Sequence, residues 1–104
     1  MEVRQAKPGG PLFQDKDKCA AVLRMFSLFS NEVRLKILCL LNEGEFSVHE
    51  IVDALEGKYS NISQQLKMLS LADYVDKKRE ENQVYYRLKN NRIKDILEFL
   101  HHHL

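Results

Sequence analysis

The feature that most constrains the fold is a pair of short helix patterns joined at a glycine. Ser47-Val48-His49-Glu50 matches the Ser-x-x-Glu capping box, in which the two side chains satisfy free N–H groups at a helix start. The helix that begins there ends at Gly57, and a tight connection over residues 58–60 leads into a second helix. The apolar positions of the two helices are Val48, Ile51, Val52, Leu55, Ile62, Leu66 and Leu69. This arrangement is typical of a helix-turn-helix, although generic helical hairpins share it.

A charged hairpin pattern follows the second helix. Tyr74-Val75-Asp76-Lys77-Lys78-Arg79 predicts a strand, residues 80–82 predict a polar turn, and Gln83-Val84-Tyr85-Tyr86-Arg87-Leu88 predicts a second strand. A charged hairpin directly after a helix-turn-helix is a wing, which can lie along the sugar-phosphate backbone beside a groove. We therefore predict a mainly α fold with a small β-hairpin wing: a winged helix-turn-helix of about five helices and two wing strands.

Three more helix patterns flank this motif. The helix after the capping residue Asn31 is apolar over most of its circumference until Asn42-Glu43-Gly44, so we expect it to be the central buried helix. The first helix (residues 16–30) and the last (residues 91–104) each carry one apolar stripe without an obvious partner. The stripes are Cys19, Val22, Leu23, Phe26 and Phe29 on the first, and Ile93, Ile96, Leu97, Leu100 and Leu104 on the last. They predict a homodimer built from these two helices.

The length and composition fit one domain of 104 residues. Pro8-Gly9-Gly10-Pro11 breaks regular structure, so we expect residues 1–14 to form a flexible N-terminal arm and residues 15–104 to form the domain. The sequence has no signal-peptide core and no apolar run of membrane-spanning length, so we expect a cytoplasmic protein without a membrane partner. Because no Ser/His/Asp order, carboxylate pair or phosphate loop is visible, we expect neither an enzyme nor a cofactor.

The distribution of charge is more informative than its sum, which is +1. Residues 57–89 hold seven cations against four anions, whereas residues 1–56 hold seven cations against nine anions. The basic excess thus coincides with the second helix of the motif and the wing, as expected of a nucleic-acid interface. A solvated charged surface remains an alternative explanation.

Four stretches together resemble the ArsR/SmtB family of dimeric winged-helix transcriptional regulators. They are LFSNEVRLKIL at 28–38, GEFSVHEI at 44–51, SNISQQLKML at 60–69 and VYYRL at 84–88. Each is weak alone, but their order and spacing are specific, and the resemblance covers residues 17–104. It implies a homodimeric DNA-binding regulator, a repressor at a palindromic operator. The alternatives are a winged-helix interaction module without DNA binding and a metal-responsive repressor with a non-standard site.

The resemblance also implies which residues contact double-stranded DNA. The family's contact positions correspond to Ser60, Ser63 and Gln64, whose side chains can bond base edges or phosphates. Tyr59 stands where many members have a groove-contacting Gln, so operator preference is expected to differ. Alternatively, Ser60 and Ser63 merely cap the helix start. The full predicted set is Tyr59, Ser60, Asn61, Ser63, Gln64, Gln65 and Lys67 on the recognition helix, with Lys77, Lys78 and Arg79 on the wing.

Many members of the family sense metals, so the corresponding ligand positions matter. Ser47 and His49 stand where one site type has a Cys-x-Cys, and Asn90 and Arg92 stand where the other type has ligands on the last helix. Three consecutive helical histidines at 101–103 fan around the axis and cannot converge on one ion, which leaves Glu98 and His102 as the best available pair. We therefore predict no metal site, because too few ligands remain for a closed coordination shell.

Cys39 is a candidate sensor of thiol chemistry instead of metal. Its surroundings, LKILCLL at 35–41, resemble the SqrR/BigR/HlyU-like branch of the family, whose members respond to oxidation or persulfide at a thiol in this position. Their second thiol lies near the end of the last helix, about where the given chain stops, so that thiol is either absent or lies beyond it. Cys19 is a substitute partner under this hypothesis. The alternative is that both cysteines are small packing residues.

Overall fold

The computed structural model describes residues 9–89 and 91–104. This part of the chain forms six helices and three strands. In chain order they are α1 (Gly10–Gln14), α2 (Lys16–Phe29), α3 (Glu32–Leu41), β1 (Phe46–Ser47), α4 (Val48–Leu55), α5 (Tyr59–Leu71), β2 (Val75–Glu80), β3 (Gln83–Leu88) and α6 (Asn91–His103). The mainly helical fold with a β-wing is confirmed, with one helix and one strand more than the sequence predicted.

The additional helix, α1, lies where the sequence predicted an irregular arm. Gly10 begins it after Gly9, whose φ of 83° is a left-handed conformation that favours glycine. Pro11 is tolerated because the first turn of a helix needs no hydrogen bond from its N–H groups. The expectation of irregular structure is therefore wrong for residues 10–14. The flexibility of the arm stays a prediction, and residues 1–8 lie outside the described part of the chain.

The additional strand, β1, turns the predicted two-stranded wing into a three-stranded antiparallel sheet of order β1-β3-β2. Phe46 pairs with Tyr86 and Ser47 with Tyr85, while β2 and β3 pair from Val75–Leu88 to Glu80–Gln83. The hairpin closes through Glu81 and Asn82. A strand of two residues is too short to show an alternation of apolar and polar residues, so β1 could not be predicted from the sequence.

The core surrounds α3, the helix predicted to be central. The Asn31 side chain caps α3 by accepting a hydrogen bond from the N–H of Arg34 at 3.0 Å, and Ile37 and Leu38 are fully buried. The other buried apolar residues are Leu41, Val48, Ile51, Ile62, Leu66, Leu69, Val75, Tyr86, Ile93 and Leu97. They join α3, both helices of the motif, the wing and α6 in one cluster, which holds the recognition helix rigidly.

The apolar stripes of α2 and α6 divide differently from the prediction. On α2, Met25, Leu28 and Phe29 pack against the core, whereas Leu23 and Phe26 are 63% and 62% exposed. On α6, Ile93 and Leu97 belong to the chain's own core, so they were wrongly assigned to a dimer interface. Phe99 of α6 and Leu104, which follows α6, are exposed instead. The periodic pattern identifies residues that share a face but not the surface that covers them.

No helix in the described part of the chain is long and apolar enough to cross a membrane.

Candidate nucleic-acid interface

The turn between α4 and α5 sets the position of the recognition helix. The capping box at the start of α4 is formed as predicted: the Glu50 N–H donates to Ser47 Oγ at 3.1 Å, and the Ser47 N–H donates to Glu50 Oε1 at 2.8 Å. At the other end, Glu56 adopts the left-handed conformation with φ 51°, so Glu56 and not Gly57 terminates the helix. Gly57 serves close packing, because a Cβ there would lie 3.1 Å from Ile62 Cδ1.

Ser60 and Ser63 do not cap the start of α5, which was the alternative to a role in DNA binding. α5 begins at Tyr59, one residue after its N-cap Lys58, and no side chain caps it. The predicted connection over 58–60 is therefore shorter than expected, because Tyr59 and Ser60 already belong to the helix. Ser60 and Ser63 lie within the first two turns of α5.

The side chains of α5 form four rows at helical spacing. The inner row is buried and consists of Ile62, Leu66 and Leu69. The outer row, exposed on the opposite side, consists of Ser60, Gln64 and Lys67. The wing row (Tyr59 and Ser63) and the α3 row (Asn61 and Gln65) flank the outer row. All seven predicted residues of this helix thus lie outside the buried row, but they face three different surroundings.

The wing row borders a cleft of about 240 Å³ between α5, the start of α4 and the wing. Its lining includes Lys77 from the wing and His49, whose ring centroid lies 5.4 Å from that of Tyr59. Tyr86 forms the wall on β3, where burial raises the pKa of its hydroxyl and the nearby Tyr59 adds to the rise. Tyr86 therefore stays neutral at physiological pH. His49 is exposed at this site beside the recognition helix.

The α3 row is held from within the protein. Gln65 Oε1 accepts a hydrogen bond from Arg34 Nη1 at 2.9 Å, and Gln65 Nε2 donates to Asn61 Oδ1 at 3.4 Å. Gln65 is half-buried. Sequence reasoning placed Gln65 among the DNA contacts and did not single out Arg34. No local pattern reveals this bond, because it joins residues 31 positions apart.

The three wing cations are all exposed, but their surroundings differ. Successive residues of a strand point to opposite faces, so Lys77 and Arg79 share one face and Lys78 takes the other. Lys77 lines the cleft beside α5. The Nζ of Lys78 lies 3.3 Å from Glu45 Oε1 and 3.8 Å from Glu80 Oε1, so two carboxylates offset its charge.

One cation counted in the basic excess has a different role. Lys89 pairs with Asp73 at the base of the wing, and this hydrogen bond raises the pKa of its ammonium group. The ion pair thus links the segment before β2 to the segment after β3, and Asp73 offsets the charge of Lys89.

The two cysteines considered as thiol sensors, Cys39 and Cys19, lie away from this interface. Both cysteines are free and exposed. Cys39 lines a groove of about 640 Å³ between α3 and α6, together with Leu97, Leu100 and Leu104. Although part of Cys39 reaches the surface, burial on the groove side raises the pKa of its thiol. Cys39 therefore lies opposite the end of α6, while Cys19 lies in the first turn of α2.

The residues considered as metal ligands are also dispersed. Glu98 pairs with Lys94, at 3.4 Å between Oε1 and Nζ, and the rings of His103 and Phe99 stack. Across residues 9–89 and 91–104, no group of three His, Cys, Asp or Glu side chains is arranged to hold a metal ion. Asn90, one of the two last-helix positions considered, lies outside the described residues.

A helix-turn-helix with an exposed polar row on its second helix and a basic wing beside it defines a winged-helix DNA-binding transcriptional regulator. The chain belongs to the family described as "Bacterial regulatory protein, arsR family", whose profile matches residues 31–77. This match runs from the α3 cap into β2. The resemblance to the ArsR/SmtB family is therefore confirmed.

Individual relatives support the assignment over most of the chain. The biofilm growth-associated repressor of Agrobacterium fabrum is 33% identical over 91 residues, covering 88% of this chain and 78% of that protein. The transcriptional activator HlyU of Vibrio cholerae is 36% identical over 87 residues, covering 84% and 80%. The structure of its reduced form is similar with a TM-score of 0.79, at 33% identity and coverage of 84% and 92%. These relatives are regulators of transcription.

One solved relative is described as a dimer. The homodimeric winged helix-turn-helix DNA-binding domain Mb0332 of Mycobacterium bovis is 27% identical to this chain. It has a TM-score of 0.71 and the match covers 91% of this chain and 87% of that one.

Proposed function

We propose that this protein is a cytoplasmic homodimeric repressor that binds an imperfect palindrome, with α5 of each protomer in successive major grooves. The observation that carries the proposal is the outer row of α5, where Ser60, Gln64 and Lys67 stand exposed opposite the buried row. Gln can bond an adenine edge, Ser can bond a base or a phosphate, and Lys can bond guanine or a phosphate. Two-fold protein symmetry places the half-sites about one helical turn apart.

The wing and the flanking rows complete the proposed interface. Lys77 and Arg79 contact phosphates beside the groove, since phosphate contacts fix register without specifying sequence. Tyr59 and Ser63 lie between the outer row and the wing and contact the backbone at the groove edge. Lys78 contributes less, because Glu45 and Glu80 already pair with it.

The proposed dimer uses the exposed apolar surface of α2 and α6. Leu23 and Phe26 on α2, Phe99 on α6, and Leu104 directly after α6 are exposed in the single chain. An exposed patch of large apolar residues is typical of an interface between protein copies. The Mb0332 domain, which shares the fold, is homodimeric, which supports a dimer for this chain.

Binding to genomic DNA fragments in a gel shift, followed by footprinting of the captured fragments, tests the proposal. We expect a protected palindrome whose half-sites are about one helical turn apart. Protein–DNA binding that persists at 200 mM salt with competitor DNA would be specific, because non-specific binding falls steeply with salt. A chain that shifts no fragment at low salt would instead be an interaction module. Placing the footprinted site before a reporter separates repression from activation, the activity named for HlyU.

A second candidate function is release of DNA after modification of a thiol, and one observation favours it. Cys39 lines the groove between α3 and α6. Sulfane sulfur transferred to its thiolate from a persulfide donor, which leaves as a thiol, would extend the side chain into this groove toward Leu97 and Leu100. Because α3 supports the helix-turn-helix, a shift there would change the spacing of the two recognition helices in the dimer. DNA would be released if the shifted state binds it less tightly. The raised pKa of Cys39 slows such a reaction but does not prevent it.

This second candidate is tested by titrating footprinted DNA with reduced, persulfide-treated and zinc-loaded protein, beside Cys39→Ser and Cys19→Ser. Loss of affinity only after persulfide treatment, abolished by Cys39→Ser, supports it. Equal affinity in all states would make Cys39 a packing residue. Release by zinc alone would point to the alternative of a metal-responsive repressor with a non-standard site.

A further inference from the structure

Arg34 ties the recognition helix to the end of α2. It lies in the first turn of α3 and is half-buried. Its Nε donates to the Leu28 carbonyl at 3.1 Å, and its Nη2 donates to the Ser27 carbonyl at 3.4 Å. Its Nη1 donates to Gln65 Oε1 at 2.9 Å. A rigid planar guanidinium thus spans two helices, which a flexible ammonium group could not do with the same geometry.

This contact fixes the direction of the amides that follow. A guanidinium has only donors, so the oxygen of the Gln65 amide must face Arg34 and its NH₂ group must face away. The side chain of Asn61 lies on that side, one turn earlier on α5, with Oδ1 3.4 Å from Gln65 Nε2. Its oxygen must therefore face Gln65. The direction of these hydrogen bonds follows from Arg34, because a guanidinium can only donate, and this fixes the orientation of the Gln65 amide first and that of Asn61 next.

We propose that Arg34 and Gln65 are positioning residues that make Asn61 a hydrogen-bond donor, and not an acceptor, toward DNA. This inference rests on the proposed function. With its oxygen turned toward Gln65, Asn61 directs its NH₂ group to the side of the outer row. A donor of this kind matches the acceptors of the major groove: purine N7, guanine O6 and thymine O4.

The arrangement has a consequence for base preference. A freely rotating Asn bonds adenine at N6 and N7 together, donating to one atom and accepting from the other. Asn61 Oδ1, held in the direction of Gln65, is not placed to accept from adenine N6 while the NH₂ group donates to N7. Asn61 therefore favours guanine, whose N7 and O6 both accept, over adenine at the base that it faces. Sequence reasoning included Asn61 among the contacts without this restriction.

The test measures base preference with a randomised operator library derived from the footprinted site. Gln65→Leu keeps the approximate size of the side chain but removes the amide, so Asn61 becomes free to rotate. We expect the preference for guanine to fall about fivefold at one position per half-site, with adenine gaining, as for the loss of one ordinary hydrogen bond. Asn61→Ala should abolish discrimination at that same position. Adding Gln65→Leu to Asn61→Ala should change it no further.

Gln64→Leu is the matched control, because Gln64 is the neighbour of Gln65 in sequence but lies on the outer row, outside the chain of bonds that joins Arg34, Gln65 and Asn61. It should alter preference at a different base. Arg34→Lys should change the same base as Gln65→Leu, and circular dichroism with thermal melting confirms which variants remain folded.

Each outcome decides the inference. A gain of adenine at the position that Asn61 faces supports it, because a role in stability alone would lower affinity for all sequences alike. If Asn61→Ala alters no base, or if Gln65→Leu alters another base or none, the inference fails. Loss of discrimination in Gln64→Leu would show in either case that the proposed DNA-binding function stands. If no variant of α5 changes DNA binding, the proposed function itself fails.

Discussion

The two faces proposed to bind partners differ in polarity: one carries polar and charged side chains, and the other carries apolar side chains. The proposed DNA-facing side of α5 and the wing presents amides, hydroxyls and cations, whereas α2 and α6 present Leu23, Phe26 and Phe99 to solvent. Protein–DNA interfaces are polar and hydrated, so exposing their side chains to water in the unbound protein costs little free energy. An apolar face is stable only when it is covered. The comparison indicates one face for an exchangeable partner and one for a permanent partner.

The largest effect is expected from a charge placed on the apolar face. Leu23→Asp buries an unpaired carboxylate at the proposed dimer interface, which costs about 3–5 kcal/mol of association. Sedimentation velocity should then show monomers, and operator affinity should collapse because a monomer holds one half-site. The fold should survive, since Leu23 is 63% exposed in the single chain.

Leu71→Asp is the matched control for this first prediction. Leu71 is 79% exposed and lies at the end of α5, and it is not one of the four apolar residues of the proposed interface. A dimer that persists in Leu23→Asp, or dissociates equally in Leu71→Asp, would contradict the proposed interface. Leu97→Asp cannot make this distinction, because Leu97 is 8% exposed and its replacement would disrupt the core of each protomer.

On the polar face the effect should be smaller and selective. Gln64→Ala removes a side chain from the middle of the outer row, and we expect a loss of about 1–3 kcal/mol in operator binding with relaxed preference at one base pair. Fluorescence anisotropy with the operator and with single-base variants measures both effects. Unchanged affinity and preference would place the recognition surface elsewhere on the chain.

Features that depend on neighbouring residues could be predicted from the sequence, and features that depend on distant ones could not. The Asn31 cap, the capping box of Ser47 and Glu50, and β3 were all predicted, because each is written within a few consecutive residues. β1 forms only because β3 offers it a partner. The contact of Arg34 with Gln65 likewise needs the tertiary fold.

The candidate site shows the same limit. Resemblance and spacing placed seven residues on the recognition helix, yet they could not separate the outer row from the row held by Arg34. The strand pattern placed Lys77, Lys78 and Arg79 together without revealing that Glu45 lies beside Lys78. The apolar period of α6 likewise could not reveal that Ile93 and Leu97 are covered by the protomer itself.

Two serines sharpen the distinction between residues used for folding and residues kept for binding. Ser47→Ala removes the cap of α4 and should cost about 1 kcal/mol of unfolding free energy. Ser60→Ala should leave stability unchanged, because no side chain caps α5, but should weaken DNA binding. Chemical denaturation of both variants measures the difference. Equal destabilisation by the two substitutions would restore the capping role for Ser60.

Within the polar face, the wing cations should differ from one another by less. Arg79→Ala should weaken all DNA sequences alike and reduce the slope of log affinity against log salt by about 0.9, the value for one lost phosphate contact. Lys78→Ala should change the slope less, since Lys78 already pairs with Glu45 and Glu80. Titrations at several salt concentrations compare the two variants. A larger change for Lys78→Ala would mean that the wing presents its opposite side to DNA.

The smallest expected effect concerns Cys39, beside the apolar face. Because burial raises the pKa of its thiol, a smaller fraction is thiolate near pH 8 than in an unfolded chain, where the pKa has its ordinary value. The thiolate is the nucleophile, so iodoacetamide should alkylate Cys39 of a Cys19→Ser variant more slowly in the folded protein than in urea at that pH. The two rates should converge as the pH rises through the folded pKa. Mass spectrometry of quenched samples follows the reaction. Faster alkylation of the folded protein at pH 8 would mean that its environment, in the dimer, lowers the thiol pKa, and would strengthen the case for Cys39 as a sensor.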